Sequence, residues 1–470
     1  MVAVYAPLAI QRSAWSDDFP QVRDPRGSFD INVGDGRPVL GLINWLVFGQ
    51  IDSIGPLVIP RLLGVLGIAC LIMYMARLLQ LLEWSPLIAL LVACSIGLLP
   101  PFHSYAGWAI TFSSPWVLLL ATWAGVGGLD AIRQRQRPKA VLCFIGLVVA
   151  MLTYPPAAMF CWVALGIRFV SLLPPPRRAF SNTCIMGLFV AAAGFVSLTT
   201  ARLVMIFFGN TGHRFMFVSS LPEFGRKLLW FSTYPPGVAA RPFIISSPDN
   251  FEAIVTVGPV LLVILVGLYR RQSGSFWTKL LSLSILTVIP VFAMSAHLIA
   301  RDNQIEYRFM VSIVVLAWVY LVVALEDMFA WAANTRPLNS TSPLFSFLIL
   351  LPIVCLATVM AWKNVNQVFI QPFEVKERFL VQQLESFDVQ QHDTIVVINP
   401  PDIWRSRGNL GIYSTISDLA HPWVIEPNLR ILIADAHGHG VAPRIRVLEE
   451  SVSLEANEFE LDLRPLAERM

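Results

Sequence analysis

Two adjacent carboxylates, Asp17 and Asp18, stand in the run Ser16-Asp17-Asp18-Phe19-Pro20, directly after a short apolar N-terminal segment. Such a pair can act as a general base, one carboxylate taking the proton of an attacking hydroxyl while the other orients it or tunes its pKa. The plainer reading is a helix N-cap and a soluble loop after Ser16. The setting favours chemistry, because ionisable groups beside a membrane span are functional more often than average. Which of the two would be the base is left open by the sequence.

Cations that could hold a developing anion accompany the pair. Arg23, Arg26 and Arg37 share its loop; His213, Arg214, Arg226, Lys227 and Arg241 lie in residues 209–250; Arg301 and Arg308 flank a short loop that also carries Asp302 and Glu306. Arginine and lysine suit phosphate oxygens on which charge builds. Each of them alone is equally suited to a lipid headgroup or to snorkelling. Asp35-Gly36-Arg37-Pro38 reads as a turn that opens a helix, and its charges could also meet a sugar or a phosphate. Asp435-Ala436-His437-Gly438-His439-Gly440 gathers ligand types that a metal uses, but no fourth ligand is near and the glycines fit a mobile turn. No metal is expected, and without a Walker A or Rossmann glycine pattern no cofactor is either.

The elements that must position these groups follow from composition. With 56% hydrophobic and 14% charged residues, against roughly 25% charged in soluble domains, the chain reads as a polytopic membrane protein. The expected spans are Pro56 to Leu79, Ser85 to Leu99, Ala106 to Leu129, Ala140 to Thr153, Ala157 to Leu173, Thr183 to Phe208, Phe251 to Tyr269, Leu280 to Ile299, Phe309 to Ala330 and Leu344 to Trp362. Met1 to Ile10 is too short to cross alone and reads as the outer end of a first span that begins upstream, which makes ten to eleven spans in all; a short interfacial segment is the alternative. The basic loops at 133–139, 177–178 and 270–271 are cytoplasmic by the positive-inside rule. Alternate counting then puts residues 11–54, 209–250, 300–307 and the tail after Trp362 on the opposite, outer face. The net charge of +3 sits mostly in the cytoplasmic loops and implies no nucleic acid. The six cysteines lie in apolar runs without CxxC spacing, where burial is the expected role.

Three regions differ in composition. The first loop, 11–54, ends in an apolar run at helical spacing, Gly36 to Phe48, expected to lie in the membrane interface and to shelve the acidic pair at headgroup depth. Residues 1–363 form a membrane domain whose internal prolines, among them Pro100-Pro101, Pro155-Pro156, Pro235-Pro236 and Pro290, are expected to kink spans around a cavity. Residues 364–470 read as a small extracytoplasmic α/β domain: a helix over Glu374 to Phe387, then strands at Thr394 to Ile398, Leu429 to Ala434, Arg444 to Leu448 and Glu458 to Leu463.

The order Asp17-Asp18, Asp35-Gly36-Arg37-Pro38, an interfacial Trp45 helix and Asp52-Ser53-Ile54-Gly55-Pro56-Leu57 resembles the serotype-converting type II glucosyltransferases of bacteria, within the GT-C class of membrane glycosyltransferases. Lys227-Leu228-Leu229-Trp230-Phe231, the C-terminal domain and the whole-chain layout are also similar. The resemblance implies an all-α membrane bundle of GT-C type with an outward-facing site in the first loop. It implies inverting, metal-independent transfer of a sugar, glucose by that likeness, from a polyprenyl phosphate to a surface glycan such as an O-antigen repeat. Asp17 or Asp18 would be the base, the lipid-linked sugar the co-substrate, and the inner membrane the location. A flippase or transporter of a lipid-linked or small hydrophilic substrate, and a glycan polymerase or ligase, are the alternatives; few charges lie mid-span and no repeat is evident, which weighs against a transporter.

Overall fold

Each apolar run expected to span the membrane forms helix in the computed structural model, which describes residues 1–11, 14–15, 17–210, 217–245, 250–301, 303, 306–332, 343–399, 422–437, 443–448 and 454–469. A short helix, α1 (Val2–Ile10), with Val4, Tyr5, Leu8 and Ala9 buried, precedes three helices of the first loop, α2 (Asp18–Arg23), α3 (Pro25–Gly34) and α4 (Pro38–Phe48). The bundle follows with α5 (Val58–Leu81), α6 (Pro86–Ile96), α7 (Pro100–Gly107), α8 (Ser114–Arg133), α9 (Arg137–Thr153), α10 (Pro155–Ala158), α11 (Cys161–Leu172) and α12 (Pro176–Phe207). It continues with α13 (Leu221–Ala239), α14 (Asn250–Arg271), α15 (Phe276–Ala293), α16 (Ser295–Ile299), α17 (Val311–Ala332) and α18 (Pro343–Val365).

By length and hydropathy, seven helical stretches among the described residues can cross a membrane, and the bent pair α6 and α7 makes up to eight. That is fewer than the ten to eleven expected. With 17 residues α9 sits at the lower limit for a crossing, and α14 is described with its side chains only from Val255 onward. The prolines do more than kink. Pro25, Pro38, Pro86, Pro100, Pro155 and Pro176 each open a helix, where the missing N–H has no partner to lose. Pro100-Pro101 turn the chain by 66° between α6 and α7, whereas Pro235, Pro236 and Pro290 lie inside helices.

The two ends of the bundle carry different polar groups. At one end Arg271 Nη1 lies 2.9 Å from Asp327 and its Nε donates to the Val170 carbonyl, while Arg168 pairs with Asp130 at 2.6 Å. The first loop gathers at the other end with residues 208–210, 217–223, 299–301 and 306–309. Asn210 Nδ2 donates to the Asp30 carbonyl at 2.6 Å, Val218 N–H to the Ile299 carbonyl at 3.0 Å, and Arg301 lies 3.6 Å from Glu223. The apolar helix expected in the interface is α4, with Trp45 and Leu46 exposed and Phe48 buried.

The chain does not break at residue 363. A π-helical turn, Asn366–Ile370, carries α18 into α19 (Gln371–Leu384), and a three-stranded parallel sheet follows in the order β2-β1-β3. The strands are β1 (Thr394–Ile398), β2 (Arg444–Leu448) and β3 (Glu458–Asp462), with Thr394 in register with Arg444 and Glu458. Every residue of the central β1 is buried, as an unbroken apolar run requires in a parallel sheet. The strand expected at Leu429 to Ala434 is instead part of α20 (Pro422–His437), and α21 (Arg464–Arg469) ends the fold. Two causes explain the difference: Ile425, Leu429, Leu432 and Ile433 are buried at helical spacing, and parallel β1 and β2 need a crossover between them.

Two apolar cores result. One fills the bundle; the other joins Phe19, Val22 and Phe48 of the first loop to Phe379, Leu380, Ile425 and Leu461 of the C-terminal unit. Burying Phe19 in that second core is worth about 1.5–3 kcal/mol, so α2 is held by packing on the C-terminal unit. Close approach in the bundle depends on small residues. A Cβ at Gly267 would lie 2.5 Å from Ala324 Cβ and 2.6 Å from Ala324 Cα, whereas one at Gly258 on the same helix would meet nothing within 4 Å. Gly267→Ala is therefore expected to push α14 from α17 at a cost of about 1–3 kcal/mol. A lower melting temperature in detergent for Gly267→Ala, but not for Gly258→Ala, is the check.

Candidate functional site

The acidic pair divides into two different groups. Asp18 has no exposed surface, and its carboxylate accepts N–H donation from Trp15 at 3.0 Å, Ala109 at 3.3 Å and Ile110 at 2.8 Å. Arg61 of α5, also fully buried, acts on it electrostatically and donates to the carbonyls of Gly107 at 2.9 Å and Gln11 at 2.6 Å. Burial pushes the Asp18 carboxyl up to about 7, against Arg61 and the three N–H groups, which act in the opposite direction. This carboxylate ties the first loop to the bundle. Both of its oxygens are taken by these backbone N–H groups, so it has none left for a substrate.

Asp17 is half-buried, and it acts electrostatically on Arg308 and Tyr154. The bent α7 and the turn after it hold Arg308. Tyr105 Oη donates to the Arg308 carbonyl at 2.6 Å, and the guanidinium lies 4.1 Å from the Trp108 ring centroid and 4.9 Å from that of Phe309. Trp108 Nε1 in turn donates to the Trp15 carbonyl at 3.2 Å, which links the aromatic floor to the segment that carries Asp17. Glu306 pairs with Arg308 at 2.5 Å. Burial works against the Arg308 charge, yet Glu306, Tyr154 and Asp17 together hold it above the ordinary arginine range. Planar guanidinium over an aromatic face is an arrangement lysine does not reproduce.

The other expected residues fall in several places. Arg37 pairs with Asp35 and acts on Tyr154, so both members of the Asp35-Gly36-Arg37-Pro38 turn border the Asp17–Arg308 cluster. Arg23 is turned to the C-terminal unit: burial and the nearby Arg430 hold its guanidinium below the ordinary range, with Glu426 and Asp24 acting the other way. Arg26 is exposed on α3. Arg226 is exposed on α13, and Arg301 serves Glu223. Lys227 is buried with its ammonium 5.2 Å from the Trp230 centroid, and it acts on His297, whose Nε2 lies 3.0 Å from the Phe309 carbonyl. His213 and Arg214 lie outside the described residues, as do residues 438–440 of the histidine-rich turn.

Arg61, Trp108, Tyr154 and Glu306 belong to this site without having been singled out from sequence. Arg61 carried a signal, as an arginine in the first turn of a 24-residue apolar helix. Tyr154 had only its place before two prolines, and Trp108 none. The arrangement can do two things chemically: accept a proton at Asp17, and hold an anion at Arg308 and Arg37. The chain is a polytopic membrane protein by helix length and hydropathy, and no family model, curated protein or solved structure matches it.

Proposed function

We propose that this protein is a membrane glycosyltransferase that moves a sugar from a polyprenyl-phosphate donor to a glycan acceptor such as O-antigen at the outer face of the bacterial inner membrane. The observation that carries the reading is half-buried Asp17 within electrostatic reach of the partly buried Arg308 guanidinium, at the end of the bundle where the predicted outer loops gather. The resemblance of the first loop to type II glucosyltransferases supports it and makes glucose the sugar to try first.

In this reading the Asp17 carboxylate takes the proton of an acceptor hydroxyl as the hydroxyl oxygen attacks the anomeric carbon. The bond from that carbon to the phosphate oxygen breaks, and the lipid phosphate leaves with the bonding electrons. Attack opposite the leaving group inverts the anomeric centre. Arg308 and Arg37 stabilise the charge that builds on the phosphate, in a site where burial strengthens the attraction.

Mass spectrometry of the surface glycan from cells with and without the gene tests the reading. A gain of one hexose mass per repeat is expected. A change in chain length or attachment with no added hexose would replace it with a polymerase or ligase. Transfer by purified protein in detergent, where no compartment exists, separates it from a flippase; no transfer there, with a lipid-linked sugar crossing sealed vesicles, would overturn it.

A further inference from the structure

Tyr154 stands at the junction of α9 and α10 with 7% of its surface exposed, and its buried hydroxyl has no hydrogen-bond partner among the described residues. A buried hydroxyl without a partner costs stability, and such groups call for an explanation. The backbone cannot swing the ring toward a partner, because Pro155 follows and restricts Tyr154 to extended conformations, here φ −155 and ψ 93. The ring is further fixed against Phe309, centroid to centroid at 6.0 Å. Arg308, Arg37, Glu306 and Asp17 all act on the phenol electrostatically, so its hydroxyl belongs to the cluster described above. Both cations already carry a carboxylate, Glu306 on Arg308 and Asp35 on Arg37. The hydroxyl is a donor that no acceptor among the described residues uses.

We infer that the Tyr154 hydroxyl donates a hydrogen bond to a phosphate oxygen of a ligand seated beside Arg308 and Arg37, completing a phosphate subsite. A phosphate oxygen fits all three groups at once: it accepts from a hydroxyl and is drawn to guanidinium. Burial pushes the phenol up to about 12, which keeps its proton in place for donation at neutral pH. The inference rests on the glycosyltransferase reading for the source of the phosphate, the lipid-linked donor or the lipid phosphate it leaves behind. The subsite itself needs only the phosphate group.

The test uses the full chain in detergent, wild type and Tyr154→Phe, titrated with polyprenyl phosphate and separately with inorganic phosphate, alongside melting temperatures. Tyr154→Phe removes only a hydroxyl that has no partner among the described residues, so its melting temperature is expected to equal or exceed the wild type. Its affinity for polyprenyl phosphate is expected to fall roughly tenfold, as the loss of a hydrogen bond to a charged group implies. A tenfold loss confined to inorganic phosphate supports the subsite with a free anion as its occupant. Equal affinity of the two proteins for both probes overturns the inference, and so does a lowered melting temperature with unchanged affinity, which reveals a structural hydroxyl. Sugar transfer by the wild type is scored independently. Tyr154-dependent phosphate binding without transfer sinks the glycosyltransferase reading and leaves the subsite standing.

Discussion

Asp17→Asn is expected to lower sugar transfer by roughly 10²–10⁴-fold, the range that a positioned general base contributes, while membrane abundance and melting temperature stay at wild-type values. The amide has nearly the shape of the carboxylate and cannot take the acceptor proton. Little stability should be lost, because Asp17 is half-buried and outside the three N–H groups that engage its neighbour. A general-base role also predicts which kinetic constant moves. Affinity for the lipid-linked donor should change by a few-fold at most, since phosphate is held by the cations, and the loss should fall on kcat. Transfer by Asp17→Asn at the wild-type rate, with normal protein levels, would remove the carboxylate from the mechanism. A weakened donor affinity with unchanged kcat would recast Asp17 as a residue that tunes Arg308.

The scaffold was more legible than the site, and the difference has a physical origin. Hydropathy is a property of contiguous residues, so the helical, apolar character of the bundle and of the run ending at Phe48 could be read before any contact was known, although seven to eight stretches among the described residues, not ten to eleven, are long and apolar enough to cross. The Leu429 to Ala434 run misled because a short apolar stretch fits a buried strand and one face of a helix equally well; burial of Ile425 and the crossover between parallel strands decided for helix. Asp17 and Asp18 were indistinguishable by type and spacing. Only the 66° turn at Pro100-Pro101 and the loop after α7 bring the Ala109 and Ile110 N–H groups onto one carboxylate and Trp108 under Arg308. Contacts between residues about 90 or more positions apart, as between Asp18 and Ile110 or Tyr105 and Arg308, leave no local pattern. The cations illustrate the same point, since Arg23 and Arg308 are alike in sequence yet one faces the C-terminal unit and the other Asp17.

The second large effect concerns stability. Arg61→Met keeps an unbranched side chain of similar reach in α5, yet is expected to destabilise the protein by about 3–5 kcal/mol, the range found when one partner of a buried charge pair is removed. Two carbonyls, of Gly107 and Gln11, lose their donor, and Asp18 loses the charge that opposes the effect of its burial. The loss should depend on pH in a defined sense. In the wild type the folded-state pKa of Asp18, about 7, exceeds its ordinary value of 3.8, so its titration lowers stability as pH rises between those values and adds no further change above them. Without Arg61 the folded-state pKa rises further, and the window of loss extends above 7. The stability gap between wild type and Arg61→Met should therefore widen from pH 7 to pH 9 and be smallest in mild acid. Adding Asp18→Asn to Arg61→Met removes the titrating group, so the double variant should lose this pH dependence and cost less than the two single changes summed. Thermal unfolding in detergent at several pH values measures all of these quantities. A gap that is constant with pH, or a double variant whose cost is the full sum, would show that Arg61 and Asp18 are not coupled and that the first loop is anchored by packing of Phe19 and Val22 alone.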